Sequence, residues 1–181
     1  MRIVAGKLRG LNLLEFDAGN IRPTTDRVRE NIFNKIQFGV SGSSVLDLFC
    51  GTGAVSLEFL SRGAAKVISV DNNSSSINLI KQNFAKAKLT PNLLKSDFKS
   101  ALKQLVNTKF DYIFLDPPYD TTFGEDAIEI IAKNNMLDSD GMVIFEHLVG
   151  KKFGIPESLE VVDTKKYGTI EVTFIKGKCN D

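Results

Sequence analysis

The chain has 181 residues, of which 43% are hydrophobic and 25% are charged, the balance of a globular protein with one sizeable core. No apolar run approaches the roughly 18 residues that a membrane-spanning helix needs, and the apolar stretch of the start, MRIVAGKLRG, is too short for a signal peptide. We therefore expect a cytoplasmic protein. Two distant cysteines, Cys50 and Cys179, and a single histidine, His147, argue against a disulfide framework and against a metal site.

Charge is unevenly distributed, although the net charge is only +1. The first 40 residues carry seven basic and four acidic side chains. A basic start on a neutral body can be an electrostatic footprint for phosphate. A solvated surface explains the same charges, and charge alone favours that simpler explanation.

The predicted elements begin with residues 1–16, whose loose alternation around Gly6 and Gly10 is typical of a small β-hairpin. A helix follows from a cap at Thr24 or Thr25 to about Ile36. Strands and helices then alternate. Strands are predicted at 43–49, 65–71, 91–97, 110–116 and 141–147, helices at 54–63, 74–87, 98–106 and 124–134, and a closing hairpin at 159–167 and 169–176.

This alternation predicts an α/β protein with a mostly parallel seven-stranded sheet, helices on both faces and an antiparallel C-terminal hairpin. We predict one domain over residues 1–181, made of an N-terminal hairpin extension (1–22) and a core (23–181). Ligands of such sheets bind at the carboxyl ends of the strands. The notable acids of this sequence fall at those ends.

A glycine loop, DLFCGTG at residues 47–53, follows the first of these strands. Glycines let the backbone turn tightly and come close to a ligand. The dinucleotide fingerprint G-x-G-x-x-G is incomplete, because Ser56 stands at the third glycine. Asp47 would repel a pyrophosphate but can hold an ammonium group. The loop therefore favours S-adenosylmethionine (SAM), with a nicotinamide cofactor as the alternative.

Three further acids end the next strands in the order that a SAM site requires. Asp71 lies about 20 residues beyond the loop, where a ribose diol is usually held in such folds. Asp97 can accept a hydrogen bond from the adenine amino group. Asp116 ends the strand predicted to lie beside the first one, so it should face the methyl donor.

The motif DPPY, residues 116–119, suits transfer of a methyl group to an exocyclic amine. The Asp116 carboxylate and the Pro117 carbonyl can accept hydrogen bonds from both N–H groups of the amine and so direct its lone pair at the methyl group. Pro117 and Pro118 add stiffness, and Tyr119 can stack on a base taken out of its helix. A rigid turn explains DPPY in isolation, but the loop upstream favours catalysis.

At this point the chain resembles a known family. LDLFCGTG and LDPPY together are similar to amino-methyltransferases that act on nucleic-acid bases, and MRIVAGKLRG and IRPTTDRVRENIFN resemble the RsmD family of bacterial methyltransferases of small-subunit ribosomal RNA. The resemblance covers nearly the whole chain. It implies a Rossmann-like, SAM-dependent enzyme that methylates the exocyclic N2 of one guanine in 16S rRNA.

The resemblance also implies residue roles. The SAM-binding residues would be Thr24, Asp47, Phe49, Gly51, Gly53, Asp71, Asn72, Asp97, Phe98 and Asp116. Catalysis would rest on Asp116, Pro117, Pro118 and Tyr119. RNA would meet Arg2, Lys7, Arg9, Arg22, Arg27 and Arg29, and the segment with Thr24, Arg27 and Arg29 would shape the donor and target pocket. The expected partner is 16S rRNA within a small-subunit ribonucleoprotein particle, with no membrane, no metal and a monomeric enzyme.

Two departures from the family pattern are Cys50, where alanine is common, and Asp71, where glutamate is common. We interpret Cys50 as packing, His147 next to Glu146 as structural, and residues 166–168 as a hairpin turn. A DNA adenine-N6 methyltransferase stays open as an alternative because it shares DPPY. A non-catalytic ribosome-assembly factor that keeps the SAM fold is a second alternative.

Overall fold

The computed structural model describes residues 1–16 and 25–178. Helices and strands alternate in it as the sequence predicts. The helices are α1 (Asp26–Ile36), α2 (Ala54–Ser61), α3 (Ser74–Lys86), α4 (Phe98–Gln104) and α5 (Phe123–Lys133). The strands are β1 (Ser44–Asp47), β2 (Lys66–Asp71), β3 (Asn92–Lys95), β4 (Phe110–Leu115), β5 (Leu137–Leu148), β6 (Leu159–Tyr167) and β7 (Ile170–Gly177).

All seven strands form one sheet in the order β3-β2-β1-β4-β5-β7-β6. The pairs from β3 to β5 are parallel, whereas β7 runs antiparallel to both β5 and β6. This confirms the predicted mostly parallel sheet with an antiparallel C-terminal hairpin. The strand order reverses between β1 and β4, which places the switch point of the sheet beside the glycine loop.

Successive residues of the central strands bury opposite faces of the sheet, as the period of two dictates. Tyr112 and Phe114 pack with α1 and α2, and Ile113 and Leu115 pack with α4 and α5. Both faces are therefore covered, which explains why these strands are continuously apolar. No helix within residues 1–16 and 25–178 is long and apolar enough to cross a membrane.

The N-terminal segment forms the predicted small hairpin, because the amide of Ile3 donates to the Leu11 carbonyl at 3.0 Å and the amides of Gly10 and Leu13 donate to the carbonyls of Ile3 and Met1, at 2.9 and 3.0 Å. Only one antiparallel bridge forms, between Arg2 and Asn12. The backbone amides of Val4 and Ala5 donate to the carboxylate of Glu58, at 2.8 and 3.1 Å, and not to a partner strand. A buried acid of α2 therefore anchors the hairpin to the core, in addition to the hydrogen bonds between its two arms.

Two polar side chains fix the start of α1 and the position of the N-terminal segment. Thr25 caps α1, because its hydroxyl accepts the amide of Val28 at 3.3 Å, one of the two caps that the sequence predicts. Asn83 of α3 is fully buried and pairs with both backbone groups of Leu14, at 2.7 and 3.1 Å. Arg22, Thr24 and the predicted boundary at residues 22–23 lie outside the described residues.

Candidate active site

The carboxyl ends of β1, β2 and β4 meet at one edge of the sheet. Asp47, the last residue of β1, is in register with Ser69 of β2 and Phe114 of β4. Beyond it, the amide of Leu48 donates to the carbonyl of Phe114 at 3.1 Å, and that of Cys50 to Val70 at 2.9 Å. The glycine loop therefore leaves the sheet between β2, which ends in Asp71, and β4, which is followed by Asp116.

The two loop glycines have backbone angles that other residues rarely adopt. Gly51 has φ +51° and Gly53 has φ +77°, and Gly53 is the N-cap of α2. A Cβ on Gly53 would lie 2.4 Å from Cγ1 of Ile80. Asn83 also donates to the Thr52 carbonyl at 2.9 Å. The loop is thus held by α3 in a shape that requires glycine.

Asp71 lies directly against the loop. Its carboxylate accepts the amide of Gly51 at 2.9 Å and the amide of Asn73 at 2.8 Å. Asp71 is half-buried and Asn72 beside it is exposed. The structure brings the predicted ribose-binding acid to the loop, and its binding of a ribose stays a prediction.

Asp47 is a deeply buried acid of the site, with 1% of its surface exposed. The hydroxyl of Ser56 donates to it at 2.6 Å. Burial raises the pKa of Asp47 to about 7; the nearby charge of Asp71 adds to the rise, whereas the Ser56 bond opposes it. An ammonium group placed beside Asp47 would favour its ionised form.

The predicted adenine-binding residues lie at the start of α4. Asp97 is exposed and caps this helix by accepting the amide of Ser100 at 3.0 Å, a bond that lowers the pKa of Asp97. Phe98 is buried between Phe49, at 5.6 Å between ring centroids, and Phe123, at 5.0 Å. The half-buried Phe49 therefore joins the glycine loop to an aromatic cluster.

The DPPY segment continues from β4 at the same edge. Asp116 and Tyr119 are half-buried, Pro117 is buried and Pro118 is exposed. The hydroxyl of Tyr119 donates to Oε1 of Glu146 at 2.7 Å.

Two contacts hold the DPPY segment from outside. A Cβ on Gly124 would lie 2.3 Å from Cε2 of Phe145 and 3.2 Å from Cγ of Pro117, so a glycine lets α5 pack closely against the segment. Lys151 donates to the carbonyl of Thr121 at 2.7 Å and pairs with Glu125 at 3.1 Å. These contacts supply, from elsewhere in the chain, the stiffness that the prolines predict.

A cavity of about 480 Å³ opens next to Tyr119. Its walls come from the start of α1, including Arg27 and Asn31, from Tyr119 and Glu146, and from residues 166–170 between β6 and β7. Sequence reasoning missed this role of residues 166–170, of which it interpreted residues 166–168 only as a hairpin turn. It placed Glu146 near the site and did not decide whether Glu146 takes part in it.

The predicted RNA-binding residues fall into two groups. Arg2, Lys7, Arg9 and Arg27 are exposed and stay candidates for RNA contacts. Arg29 is only 1% exposed. It pairs with Asp26 at 2.9 Å and with Glu58 at 3.5 Å, and it donates to the carbonyl of Arg2. The prediction that Arg29 contacts RNA is therefore wrong for this structure, because Arg29 is a buried ion-pair partner.

Two other residues are structural, as predicted. His147 is buried, with Nδ1 3.0 Å from the Leu148 carbonyl and Nε2 2.8 Å from the Thr173 hydroxyl. Cys50 is buried in the core, and burial raises the pKa of its thiol well above the ordinary value. Within the part of the chain that the structure describes, no group of three or more histidine, cysteine or acidic side chains could hold a metal ion.

The sheet order and the acidic, glycine-rich edge define a Rossmann-like methyltransferase fold. A solved structure of a candidate methyltransferase, yhhF from Escherichia coli, superposes with a TM-score of 0.87, at 28% identity over 99% of both chains. The candidate methyltransferase SMU.776, solved in complex with S-adenosylhomocysteine (SAH), shares the fold at 20% identity, with a TM-score of 0.64 over 81% of this chain and 48% of that one.

The family follows from sequence comparison. The family model described as "Conserved hypothetical protein 95" matches residues 1–176. Ribosomal RNA small subunit methyltransferase D of Haemophilus influenzae is 32% identical, over 94% of this chain and 90% of that protein. The chain belongs to this family, the RsmD family that its motifs predict.

Proposed function

We propose that this protein transfers the methyl group of SAM to the exocyclic N2 of a guanine in the 16S rRNA of the small ribosomal subunit. The observation that carries the proposal is the position of Asp116 and Tyr119, which follow β4 beside the glycine loop after β1. The name of the Haemophilus influenzae relative supports ribosomal RNA as the substrate class.

The residues around the glycine loop fit SAM. Asp47 is a buried acid whose pKa of about 7 suits a partner of positive charge, such as the ammonium group of SAM. The packing of Gly53 against α3 lets the loop backbone come close to a ligand. Asp71 with Asn72 would hold the ribose, and Asp97 with Phe98 and Phe49 would hold the adenine. The SAH-bound structural neighbour supports the same choice.

When bound, SAM supplies an electrophilic methyl group, and the chain's own residues position the acceptor. The Asp116 carboxylate and the Pro117 carbonyl accept hydrogen bonds from the two N–H groups of the guanine amine. These bonds turn the lone pair of the amine toward the methyl donor. Tyr119 stacks on the extruded base. The amine becomes acidic as it gains the methyl, so the reaction needs no strong base.

The proposal includes the setting of the reaction. We propose a single catalytic domain that acts as a monomer in the cytoplasm, where small-subunit particles are made. Arg2, Lys7, Arg9 and Arg27 are exposed and would contact RNA phosphates. A net charge of only +1 favours a ribonucleoprotein particle over naked RNA as the substrate.

The experiment is transfer of labelled methyl from SAM to three substrates, followed by digestion to nucleosides. The substrates are protein-free 16S rRNA, partly assembled small-subunit particles that lack the modification, and duplex DNA. Asp116→Ala should lower the rate by about 100-fold or more, whereas Asp120→Ala, a change of an exposed acid nearby, should not.

The labelled nucleoside decides among the candidate functions. N2-methylguanosine from rRNA or particles would support the proposal. N6-methyladenine from DNA would replace it with the adenine methyltransferase alternative. SAM binding without label in any substrate would leave the non-catalytic assembly factor.

A further inference from the structure

Selection of the acceptor base has to come from outside the DPPY segment. Two acceptors on an exocyclic amine can orient guanine N2 and adenine N6 equally well, because both amines carry two N–H bonds. The ring atom beside the amine differs between the two bases. Guanine N1 carries a proton and donates a hydrogen bond, whereas adenine N1 is an acceptor. A side chain that selects guanine must therefore accept a hydrogen bond from N1.

The structure places such an acceptor in the cavity next to Tyr119. Glu146 is 1% exposed and lines the cavity wall. Leu115 and Phe145 are partners across β4 and β5, so Asp116 and Glu146, the next residues of the two strands, lie at neighbouring strand ends. Glu146 thus lines the cavity from the strand next to the one that Asp116 follows.

The carboxylate of Glu146 is held in one orientation. The Tyr119 hydroxyl donates to its Oε1 at 2.7 Å. A carboxylate has about four lone-pair sites, so one carboxylate can accept hydrogen bonds from several donors at once. The bond also connects Tyr119, the side chain proposed to stack on the base, to Glu146 in the cavity wall.

The remaining cavity walls suit a nucleotide. A volume of about 480 Å³ lies in the range of roughly 300–1,000 Å³ typical of small-molecule sites. Tyr119 and the half-buried Tyr167 supply aromatic surface, and Arg27 and Lys166 add positive charge from α1 and from the end of β6. Such walls fit a base with its adjoining phosphates.

We propose that Glu146 is the guanine-selecting residue of this cavity. Its carboxylate accepts the N1–H of the extruded guanine and repels the N1 lone pair of a base that lacks this proton. The inference rests on the proposed function, because it assigns the recognition step of that reaction. It concerns which base is read and leaves methyl transfer itself to Asp116 and Pro117.

The test uses an acceptor base that keeps the amine but lacks the N1 proton. Digestion of the methylated RNA into oligonucleotides first locates the labelled position. 16S rRNA is then assembled by ligation with either guanosine or 2-aminopurine at that position. The wild-type enzyme should methylate the 2-aminopurine RNA with a kcat/KM lower by about 10- to 100-fold. Glu146→Gln, whose amide can donate to an unprotonated N1, should bring the two values within about threefold.

Glu171→Gln is the matched control, because Glu171 lies on the neighbouring strand β7, opposite His147, and is not among the residues that line the cavity. It should keep the wild-type preference. Equal use of both RNAs by the wild type would overturn the inference without any variant, and so would an unchanged preference in a folded Glu146→Gln. Transfer to neither RNA would instead count against the proposed function, and the inference would fall with it.

Discussion

Replacing Asp47 by asparagine should remove a large part of the pH dependence of stability. Asp47 is 1% exposed and its pKa is raised to about 7, first because of burial. Asparagine has nearly the same shape and keeps an oxygen that can accept from Ser56. The substitution therefore removes the titrating charge and preserves the packing.

The sign of the effect follows from the two pKa values. The ordinary pKa is 3.8 and the folded pKa is about 7, so between these values the folded state holds a proton that the unfolded state has lost. The contribution of Asp47 is most favourable below pH 4 and is lost as the pH rises to 7. At about 1.36 kcal/mol per unit, the wild type loses about 2.5 kcal/mol from this group between pH 5 and pH 7.5.

The assay is urea unfolding of the wild type and of Asp47→Asn at pH 5 and at pH 7.5, at one ionic strength. Other groups titrate in both proteins, so they cancel in the comparison. The variant should gain about 2.5 kcal/mol relative to the wild type between the two pH values. A relative gain below about 0.5 kcal/mol would refute the raised pKa of Asp47, because a carboxylate that is ionised in both states contributes no slope.

Three further changes have expected outcomes. SAM affinity, measured by calorimetry, should fall about tenfold for each pH unit below 7, because the ammonium group of SAM needs an ionised Asp47. An affinity that does not change with pH would contradict a contact between Asp47 and the ammonium group. Gly53→Ala should cost about 2–4 kcal/mol in urea unfolding, since φ is +77° and a Cβ would lie 2.4 Å from an α3 side chain. Gly42→Ala, at φ +81° with open space, should cost only about 1–2 kcal/mol, and equal losses would contradict the steric argument. Glu58→Gln should cost about 3–5 kcal/mol, because it removes the buried one of the two carboxylates that pair with buried Arg29; a loss under 1 kcal/mol would show that the cluster does not anchor α1.

The strands and the loop chemistry could be predicted because they depend on local patterns. Continuous apolar runs indicated strands that the sheet buries on both faces, and all five predicted helices are present. Asp47 and Asp71 could be placed at strand ends because their positions follow from the element order. The close contact of Asp71 with Gly51 agrees with that placement.

Predictions based on residue type were wrong where a distant partner decides the role. Arg29 has the sequence neighbourhood of an RNA contact, but Glu58, 29 residues further along the chain, pairs with it inside the protein. The same acid accepts the amides of Val4 and Ala5 and so anchors the N-terminal hairpin to α2. A buried carboxylate needs several donors, and nothing in the local sequence of residues 1–16 shows that α2 supplies the acceptor.

The cavity shows that the candidate site could not be predicted fully from local sequence either, because four separate parts of the chain form it. Leu148, the last residue of β5, pairs with Ile170, the first residue of β7, and this antiparallel register brings the turn after Tyr167 to the carboxyl edge of the parallel strands. The turn therefore faces Tyr119 and Glu146, although 47 residues separate Tyr119 from Lys166. An antiparallel hairpin appended to a parallel sheet places its turn at the ligand-binding edge, so residues 166–170 are expected to contribute to substrate binding for a topological reason that their residue types do not indicate.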